Sequence, residues 1–392
     1  MSHGPVKYPL DMKDENSEWE IKVCDDLDES DLQLVSRFFN EYFPGVFYPE
    51  CSPRIFQWKL GSGNPSGSGF LTIAIHDGKV IGTTSGTRQR VLKGKRLVTA
   101  IEIGDTFTHP DFRRKGTCAS LYPGTAGPND YLNKSIFGRL VTETLDRAQA
   151  SGIHYVFGTP NENSRPPYLN RLKFQEIGWG RVKSWSSPTQ KFKMGSRKSL
   201  VVSLATFLLK VLRKINLLIS GRNIKIEEDG FESFALGLEA ILQNTPQDIL
   251  EPGSICMDQN LAFFKYRYAS HPNYRYQYFK IQVRDRTVGW IICVVLVRQS
   301  GRETLVVSDW IIPDRSMEKN LPKYVAILSS KFKIVQLISL WAESTRYSSF
   351  EWGRFGFFSW NQVSLIIKTL NVEDGEVIRE FADFRIGWSD NG

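Results

Sequence analysis

The run AIEIGDTFTHPDFRRKG, Ala100 to Gly116, constrains this chain more than any other stretch. Ile101 and Ile103 alternate with Glu102 and lead to Asp105, a pattern that predicts a strand bearing carboxylates. His109-Pro110 ends it, and Arg113, Arg114 and Lys115 then run into Gly116. A strand that empties into a basic, glycine-bearing loop ahead of a helix makes an anion cradle. Unpaired N–H groups and the helix dipole present positive potential there, and a glycine lets the backbone approach a phosphate with no Cβ in the way. The helical periodicity arrives late, over Phe137 to Ala150 (Phe137, Leu140, Val141, Leu145, Ala148), with Gly152 as its stop signal. Between loop and helix, Thr117 to Ser135 is rich in Gly, Pro and Asn and reads as loop. Either Gly116 is the cradle and the chain detours, or a helix starts at Thr117 and is interrupted. A detour that caps a ligand is the favoured reading, because long ordered loops in compact domains usually carry function; a plain surface insertion is the alternative.

The flanks continue the pattern. Phe70 to Ile75 and Val80 to Gly86 read as strands around the hairpin signal His76-Asp77-Gly78-Lys79. Trp58-Lys59 and Asn64-Pro65-Ser66-Gly67 precede them. Downstream, HYVFGTPNENSRPPYLNRLKFQEIG gives a short strand, a polar loop with Asn163 and a helix with Tyr168. In order and spacing, these motifs resemble the GNAT superfamily of acyl-CoA-dependent N-acyltransferases over roughly residues 20 to 180. The resemblance implies that Arg113, Arg114, Lys115 and Gly116 stand for the family's Arg/Gln-x-x-Gly-x-Gly/Ala pyrophosphate loop. It also implies acyl-CoA contacts at Phe107, Thr108, Gly138 and Asn163. Lys173-Phe174 replaces the family's Gly-Phe. Its general-acid tyrosine would fall on Leu169, with Tyr168 one residue early, a rotation of about 100° on a helix; Tyr168 is therefore the candidate acid, with packing as the alternative role. Trp58-Lys59 and the Asn64 run look like a signature of bacterial GNAT proteins tied to surface-sugar synthesis.

Acyl transfer to an amine needs a neutral amine, donors for the carbonyl oxygen and a proton acceptor. Glu102 lies where several family members carry their base. Asp105 lies nearer the loop, in an Asp-Thr-x-Thr-His-Pro run typical of the surface-sugar group. Regular alternation puts the two on opposite faces, and a bulge would bring them together. Both are candidate catalytic residues, while His109 is expected to cap the loop.

The net charge of +8 and pI of about 9.1 suit a phosphate-bearing substrate. The cations are spread along the chain, without basic tail or recognition helix, so nucleic acid is not the expected partner. Five cysteines without a CxxC pair point to a reducing compartment and to no structural zinc. A polar N-terminus without a signal peptide points to the cytoplasm. Leu200 to Ser220 is apolar but broken by Lys210, Arg213 and Lys214, too short a run to span a bilayer. Packing between domains is the expected role, and weak membrane contact the alternative.

The second half echoes the first. Glu343-Ser344-Thr345-Arg346 followed by Gly356-Phe357 repeats Glu162-Asn163-Ser164-Arg165 followed by Phe174, with a hairpin and a further strand before it. After Trp310-Ile311-Ile312-Pro313 comes DRSMEKNLPKY, with no phosphate loop. The expected fold is thus α/β (α+β), two tandem GNAT-like domains with mixed, largely antiparallel central sheets flanked by helices, the second degenerate. The expected units are residues 20–190 for acyl-CoA and catalysis, 191–225 as a linker with an apolar helix, and 226–392 for acceptor binding or support. In FFKYRYASHPNYRYQYF, Arg267, His271, Arg275 and Tyr276 are candidate substrate contacts, since Arg with Tyr suits a diphosphate and a stacked base; packing of the aromatics, and a turn at His271-Pro272, are the alternatives.

Together these readings predict transfer of an acyl group, acetyl or larger such as 3-hydroxybutyryl, from coenzyme A to a nucleotide-linked amino sugar. The resemblance suggests a dTDP-3-amino-3,6-dideoxyhexose, with no metal involved. A tandem aminoacyl or peptidyl transferase of cell-wall synthesis, and a GNAT-derived binding module without catalysis, are the alternatives.

Overall fold

The computed structural model describes residues 19–24, 26–47, 50–113, 135–186, 223–244, 252–297, 303–332, 336–342, 352, 358–371 and 377–382. The expectations for Arg114 to Gly116, the insertion after it, Leu200 to Ser220, Glu343 to Arg346 and Gly356-Phe357 lie outside these residues.

In the N-terminal half, β1 (Glu20–Cys24) is followed by α1 (Glu29–Tyr42) and α2 (Pro53–Leu60). Then come β2 (Phe70–His76), β3 (Lys79–Lys93), β4 (Arg96–Thr108), α3 (Ile136–Ala150), β5 (Tyr155–Gly158) and β6 (Gln175–Ser186). The predicted hairpin is present: Asp77 and Gly78 both have positive φ (49° and 71°), the type I′ signature between β2 and β3. α1 buries Leu32, Val35, Phe38 and Phe39 against Leu71 and Ile73 of β2. The other face of the sheet is covered by α3, whose Val141 and Leu145 pack on Ile101 and Ile103.

The C-terminal half repeats this order with β7 (Ile224–Asp229), α4 (Phe231–Asn244), β8 (Ser254–Met257) and α5 (Leu261–Phe264), which runs into a π-helical turn, Lys265–Ala269. β9 (Gln277–Val283), β10 (Arg286–Val297), β11 (Glu303–Ile311), α6 (Arg315–Glu318), α7 (Leu321–Ser329), β12 (Gln336–Ala342), β13 (Phe358–Thr369) and β14 (Glu380–Phe381) complete it. Here too the hairpin between β9 and β10 turns on two positive-φ residues, Arg284 and Asp285.

All the strands form one 14-stranded sheet whose main path runs β1-β2-β3-β4-β5-β13-β6-β12-β11-β10-β9-β7. This order is a palindrome of pairing senses. In each half three antiparallel ladders lead to one parallel pair (β4 with β5, β11 with β12). Beyond each parallel pair lies an antiparallel strand supplied by the other half: β13 beside β5, and β6 beside β12. β13 and β6 then pair with each other at the centre. The halves have exchanged β6 and β13. A second crossing comes from β8, which pairs with Val91–Lys93 of β3.

Side chains seal the exchange. One core cluster draws Ala100, Tyr155 and Phe157 from the first half and Phe234, Phe264, Tyr268, Trp290 and Ile292 from the second. Arg165, just ahead of the π-helical turn Pro167–Arg171, grips Glu176 of β6 through two bonds of 2.7 and 2.9 Å, and Ser364 of β13 donates to the same carboxylate. Burial pushes the Glu176 carboxyl up, but the bonds from Arg165 and Ser364 outweigh it and hold the group below its ordinary value.

The exchange predicts that residues 19–222 expressed without β13 will aggregate or remain unfolded, since β5 and β6 then lose the strand between them; a monomeric fragment with a cooperative thermal transition would contradict it. The lowered Glu176 value sets a pH dependence. Stability due to this carboxylate is fully present above its unfolded pKa and is lost as pH falls through the folded value. The stability gap between wild type and Glu176→Gln, read by urea unfolding, will therefore shrink as pH is lowered from neutral into that range.

Candidate active site

β4 carries the predicted carboxylates, and its geometry breaks where they lie. Ser85 of β3 pairs with Gly104 while Thr83 pairs with Phe107, so Asp105 and Thr106 together face Thr84: a bulge. Asp105 takes φ +48°, the left-handed region that Asp and Asn tolerate better than most residues. Up to the bulge the strand alternates, with Ile101 and Ile103 toward α3 and Ala100 toward the core shared by the halves. Glu102 follows the parity of Ala100, and the bulge turns Asp105 to that same side. There its Oδ2 accepts from Lys59 Nζ of α2 at 2.6 Å and from Ser85 Oγ at 2.7 Å. Thr83 Oγ1 donates to the Asp105 carbonyl at 2.7 Å.

Both charges are withdrawn from water: the side chains of Lys59 and Asp105 are 1% and 0% exposed. Glu102 is buried as well. Asp105 Oδ1 is buried without a hydrogen-bond partner among the described residues. Sequence reasoning singled out Lys59 only as part of a signature and gave it no role.

The opposite face of the bulge carries hydroxyls. Tyr168, on the π-helical turn, brings its OH to 3.2 Å from Thr106 Oγ1, which lies 2.7 Å from Thr84 Oγ1. Packing against Phe137 and Phe174 buries the phenol and raises it above its ordinary value, against the lowering effect of Thr106. The phenol is therefore protonated at neutral pH. Leu169 contributes to the core beneath.

Just ahead of the bulge β4 parts from β5, whose last partner on it is Glu102, opposite Phe157. The β5-side edge of β4 from Ile103 to Thr108 thus has no strand partner among the described residues, and the two strands open as a wedge. Phe107 packs with Phe39 and Phe43 along this stretch. Arg113 sits at its end, its Nε on the Thr108 carbonyl at 3.1 Å and its guanidinium 5.5 Å from the Phe43 ring. His109 caps the following turn, its Nδ1 accepting from Asp111 N, as expected. α3 begins at Ile136, after the insertion, and Ser135 caps it by accepting from Gly138 N at 2.9 Å, so the Gly138 amide is already engaged. In the loop after β5 the organising side chain is Asn161, whose Oδ1 accepts from the amides of Asn163 and Ser164; Asn163 itself is exposed.

The second half keeps the strand geometry and changes the chemistry. β11 also bulges, with Ser308 as the extra residue, and buries Asp309. Tyr268 OH donates to Asp309 Oδ2 at 3.0 Å, and Trp310 N to Oδ1 at 2.7 Å. Sequence reasoning missed Asp309, although the order Asp309…Pro313-Asp314 parallels Asp105…Pro110-Asp111. Where a phosphate loop would follow, Asp314 accepts from Ser316 N, Ser316 Oγ and Met317 N. These bonds hold its carboxyl below the ordinary value, so the turn already has its own anion.

The candidate substrate residues separate. Arg267 is buried in the interface, 5.6 Å from the Trp58 ring. Trp58 Nε1 donates to the Tyr266 carbonyl while Tyr266 OH donates back to the Trp58 carbonyl, and their rings stack at 4.9 Å. His271, Arg275 and Tyr276 border a cavity of about 530 Å³. His271 Nδ1 accepts from the amides of Asn273 and Tyr274, the turn expected of His271-Pro272. Among the described residues no cluster of His, Cys, Asp or Glu is arranged to hold a metal, and no helix is long and apolar enough to cross a membrane.

This architecture is the GNAT fold in tandem, a mixed, mostly antiparallel sheet flanked by helices. Residues 32–122, which include most of α1, α2 and the bulged β4, match the family described as Acetyltransferase (GNAT) family. A tandem GNAT protein from the clavulanic acid biosynthesis pathway superposes with a TM-score of 0.52 at 9% identity, over 91% of this chain and 100% of its own. A GCN5-related N-acetyltransferase from Anabaena variabilis (TM-score 0.53, 13% identity) is matched over 90% of this chain and 73% of its own. So is a probable N-acyltransferase from Enterococcus faecalis, at a TM-score of 0.53 and 8% identity. No curated protein matches the sequence.

The buried pair generates a test. Lys59→Met leaves the Asp105 charge uncompensated and is expected to cost about 3–5 kcal/mol. Lys59→Met with Asp105→Asn removes both charges and should recover most of that loss. Urea unfolding would decide, and a double variant no more stable than Lys59→Met would refute the pairing.

Proposed function

We propose that this protein moves an acyl group from acyl-CoA to the amino group of an acceptor, with the chemistry in the first half. The observation that carries the reading is the opened edge of β4, with Glu102 and Asp105 on one face of its bulge and the Tyr168 hydroxyl on the other. The match of residues 32–122 to an acetyltransferase family supports it. Arg113 to Gly116 and the β5-side edge of β4 would hold the acyl-CoA, which supplies the activated thioester carbonyl when bound.

The residues divide the remaining work. Oδ2 of Asp105 is committed to Lys59 and Ser85, so taking a proton there breaks a buried ion pair. Glu102 is thus the base, accepting the proton that the acceptor ammonium must lose. Tyr168, kept protonated by burial, gives a proton to the departing thiolate. The Lys59–Asp105 pair fixes the bulge that sets both positions. We assign the acceptor to the nucleotide-linked amino sugars, with a dTDP-3-amino-3,6-dideoxyhexose as the first candidate and an acetyl or 3-hydroxybutyryl donor. Trp58-Lys59, the Asn64 run and the Asp-Thr-x-Thr-His-Pro run support that class. Asn64 serves the site structurally, tying the Lys59 and Arg88 carbonyls together just after α2.

Thiol release from acetyl-CoA with a dTDP-amino-sugar panel tests the reading. Glu102→Gln should lower kcat about 10²–10⁴-fold, most severely where the free amine is protonated. Gly116→Asp should abolish CoA binding by calorimetry without unfolding the chain. Near-normal rates at all pH values in Glu102→Gln, or unchanged CoA affinity in Gly116→Asp, would overturn it.

A further inference from the structure

α2 is too short to secure its own end. Its 8 residues make barely two turns, and the last carbonyls of a helix find no partner inside it. None of residues 61–66 takes a positive φ, so the left-handed turn that commonly closes a helix with its own backbone is absent. Local amides serve the outer positions: Gly61 N donates to the Gln57 carbonyl at 3.0 Å, and Gly69 N to the Leu60 carbonyl at 2.8 Å. Between them, the Trp58 carbonyl takes its bond from the other half of the molecule, from Tyr266 OH at 2.9 Å. The same hydroxyl lies 3.4 Å from the Lys59 carbonyl, to which Asn64 Nδ2 also donates at 3.3 Å.

Tyr266 is well placed to hold that end still. It is buried on the π-helical turn of the second half, and its carbonyl accepts from Trp58 Nε1 at 3.2 Å. The two rings stack at an angle of 17°, and His271 packs on the same indole at 4.4 Å. The last turn of α2 carries Lys59, whose ammonium reaches Asp105 Oδ2 at 2.6 Å with both side chains out of water. A buried ion pair repays its desolvation only in good geometry. A change in where α2 ends is therefore felt at Asp105, the left-handed residue of the bulge.

We infer that Tyr266 is a positioning residue for the reaction of the first half. By capping α2 from the second half, its hydroxyl seats Lys59 on Asp105 and so sets the bulge that places Glu102 and Tyr168. The second half thus takes part in catalysis without touching the reacting atoms. The inference rests on the acyltransferase reading for the reaction served, and on geometry alone for the link from Tyr266 to Lys59. Tyr268, two residues on, is the internal comparison: it too is buried, but its hydroxyl donates to Asp309 and serves the bulge of the second half.

The test compares full-length Tyr266→Phe and Tyr268→Phe with wild type. Each loses one buried hydroxyl and keeps its ring, and thermal unfolding verifies that both fold. With isotope-labelled lysine, the shielded Lys59 ammonium should give a slowly exchanging NMR signal, assigned by its loss in Lys59→Met with Asp105→Asn. Its exchange with water should quicken about tenfold in Tyr266→Phe, the scale of one buried hydrogen bond, and stay unchanged in Tyr268→Phe. Trp58→Phe, which removes the Nε1 bond and loosens the same contact from the other side, should quicken it as well. In the thiol-release assay kcat should fall about tenfold in Tyr266→Phe with the acyl-CoA KM unchanged, the mark of an interaction that acts on the transition state. Tyr268→Phe should keep its kcat. An unchanged Lys59 signal in Tyr266→Phe, or an equal loss of kcat in both tyrosine variants, would overturn the inference. A wild type that turns over no acyl-CoA would defeat the acyltransferase reading, and the Lys59 signal alone would then decide the link.

Discussion

Two charges held almost entirely out of water, on Lys59 and Asp105, fix the shape of β4. A left-handed aspartate in a bulge is conformationally expensive. It persists here because the carboxylate is anchored from α2 and from β3, while Thr83 holds the carbonyl of the same residue. The bulge in turn decides what the strand can do. It puts two acidic side chains on one face and the hydroxyls of Thr106 and Tyr168 on the other, just where β5 stops pairing. Removing either charge would leave the other buried and unpaired, so the pair acts as one structural unit.

The second half shows the same device converted. Its bulge and buried aspartate remain, but Tyr268, a neutral donor, takes the place of the ammonium, and Asp314 caps the turn that would otherwise bind an anion. The two helical elements meet across the interface through the mutual bonds of Trp58 and Tyr266, each the residue before a buried cation, Lys59 and Arg267. With the exchange of β6 and β13 and a common core, neither half is complete alone. Divergence of chemistry on a duplicated scaffold is thereby compatible with one inseparable sheet.

Much of this was legible in the sequence. The Asp77-Gly78 hairpin, the helix before Gly152, the acidic strand and the repeat of strand order all follow from local pattern, and each is set by contacts within a short stretch. The bulge was anticipated as a possibility, but its location depends on Lys59, 46 residues away. Strand exchange left no local trace, because β6 and β13 read as ordinary strands whichever neighbour they take. The same limit hid Asp309, whose meaning comes from Tyr268, and left Arg267 indistinguishable from Arg275, although one is buried beneath Trp58 and the other exposed. The helical periodicity over Phe137 to Ala150 is present as α3, Ile136–Ala150.

The central claim is that the opened edge of β4 is where the acyl donor lies. A crystal structure of the protein with CoA bound tests it most directly. The account predicts the pantetheine arm along β4 between Ile103 and Thr108, its thiol near Tyr168 and its pyrophosphate at Arg113 to Gly116. CoA found instead against the Asp314 turn, or on the far face of the sheet away from β4, would contradict it.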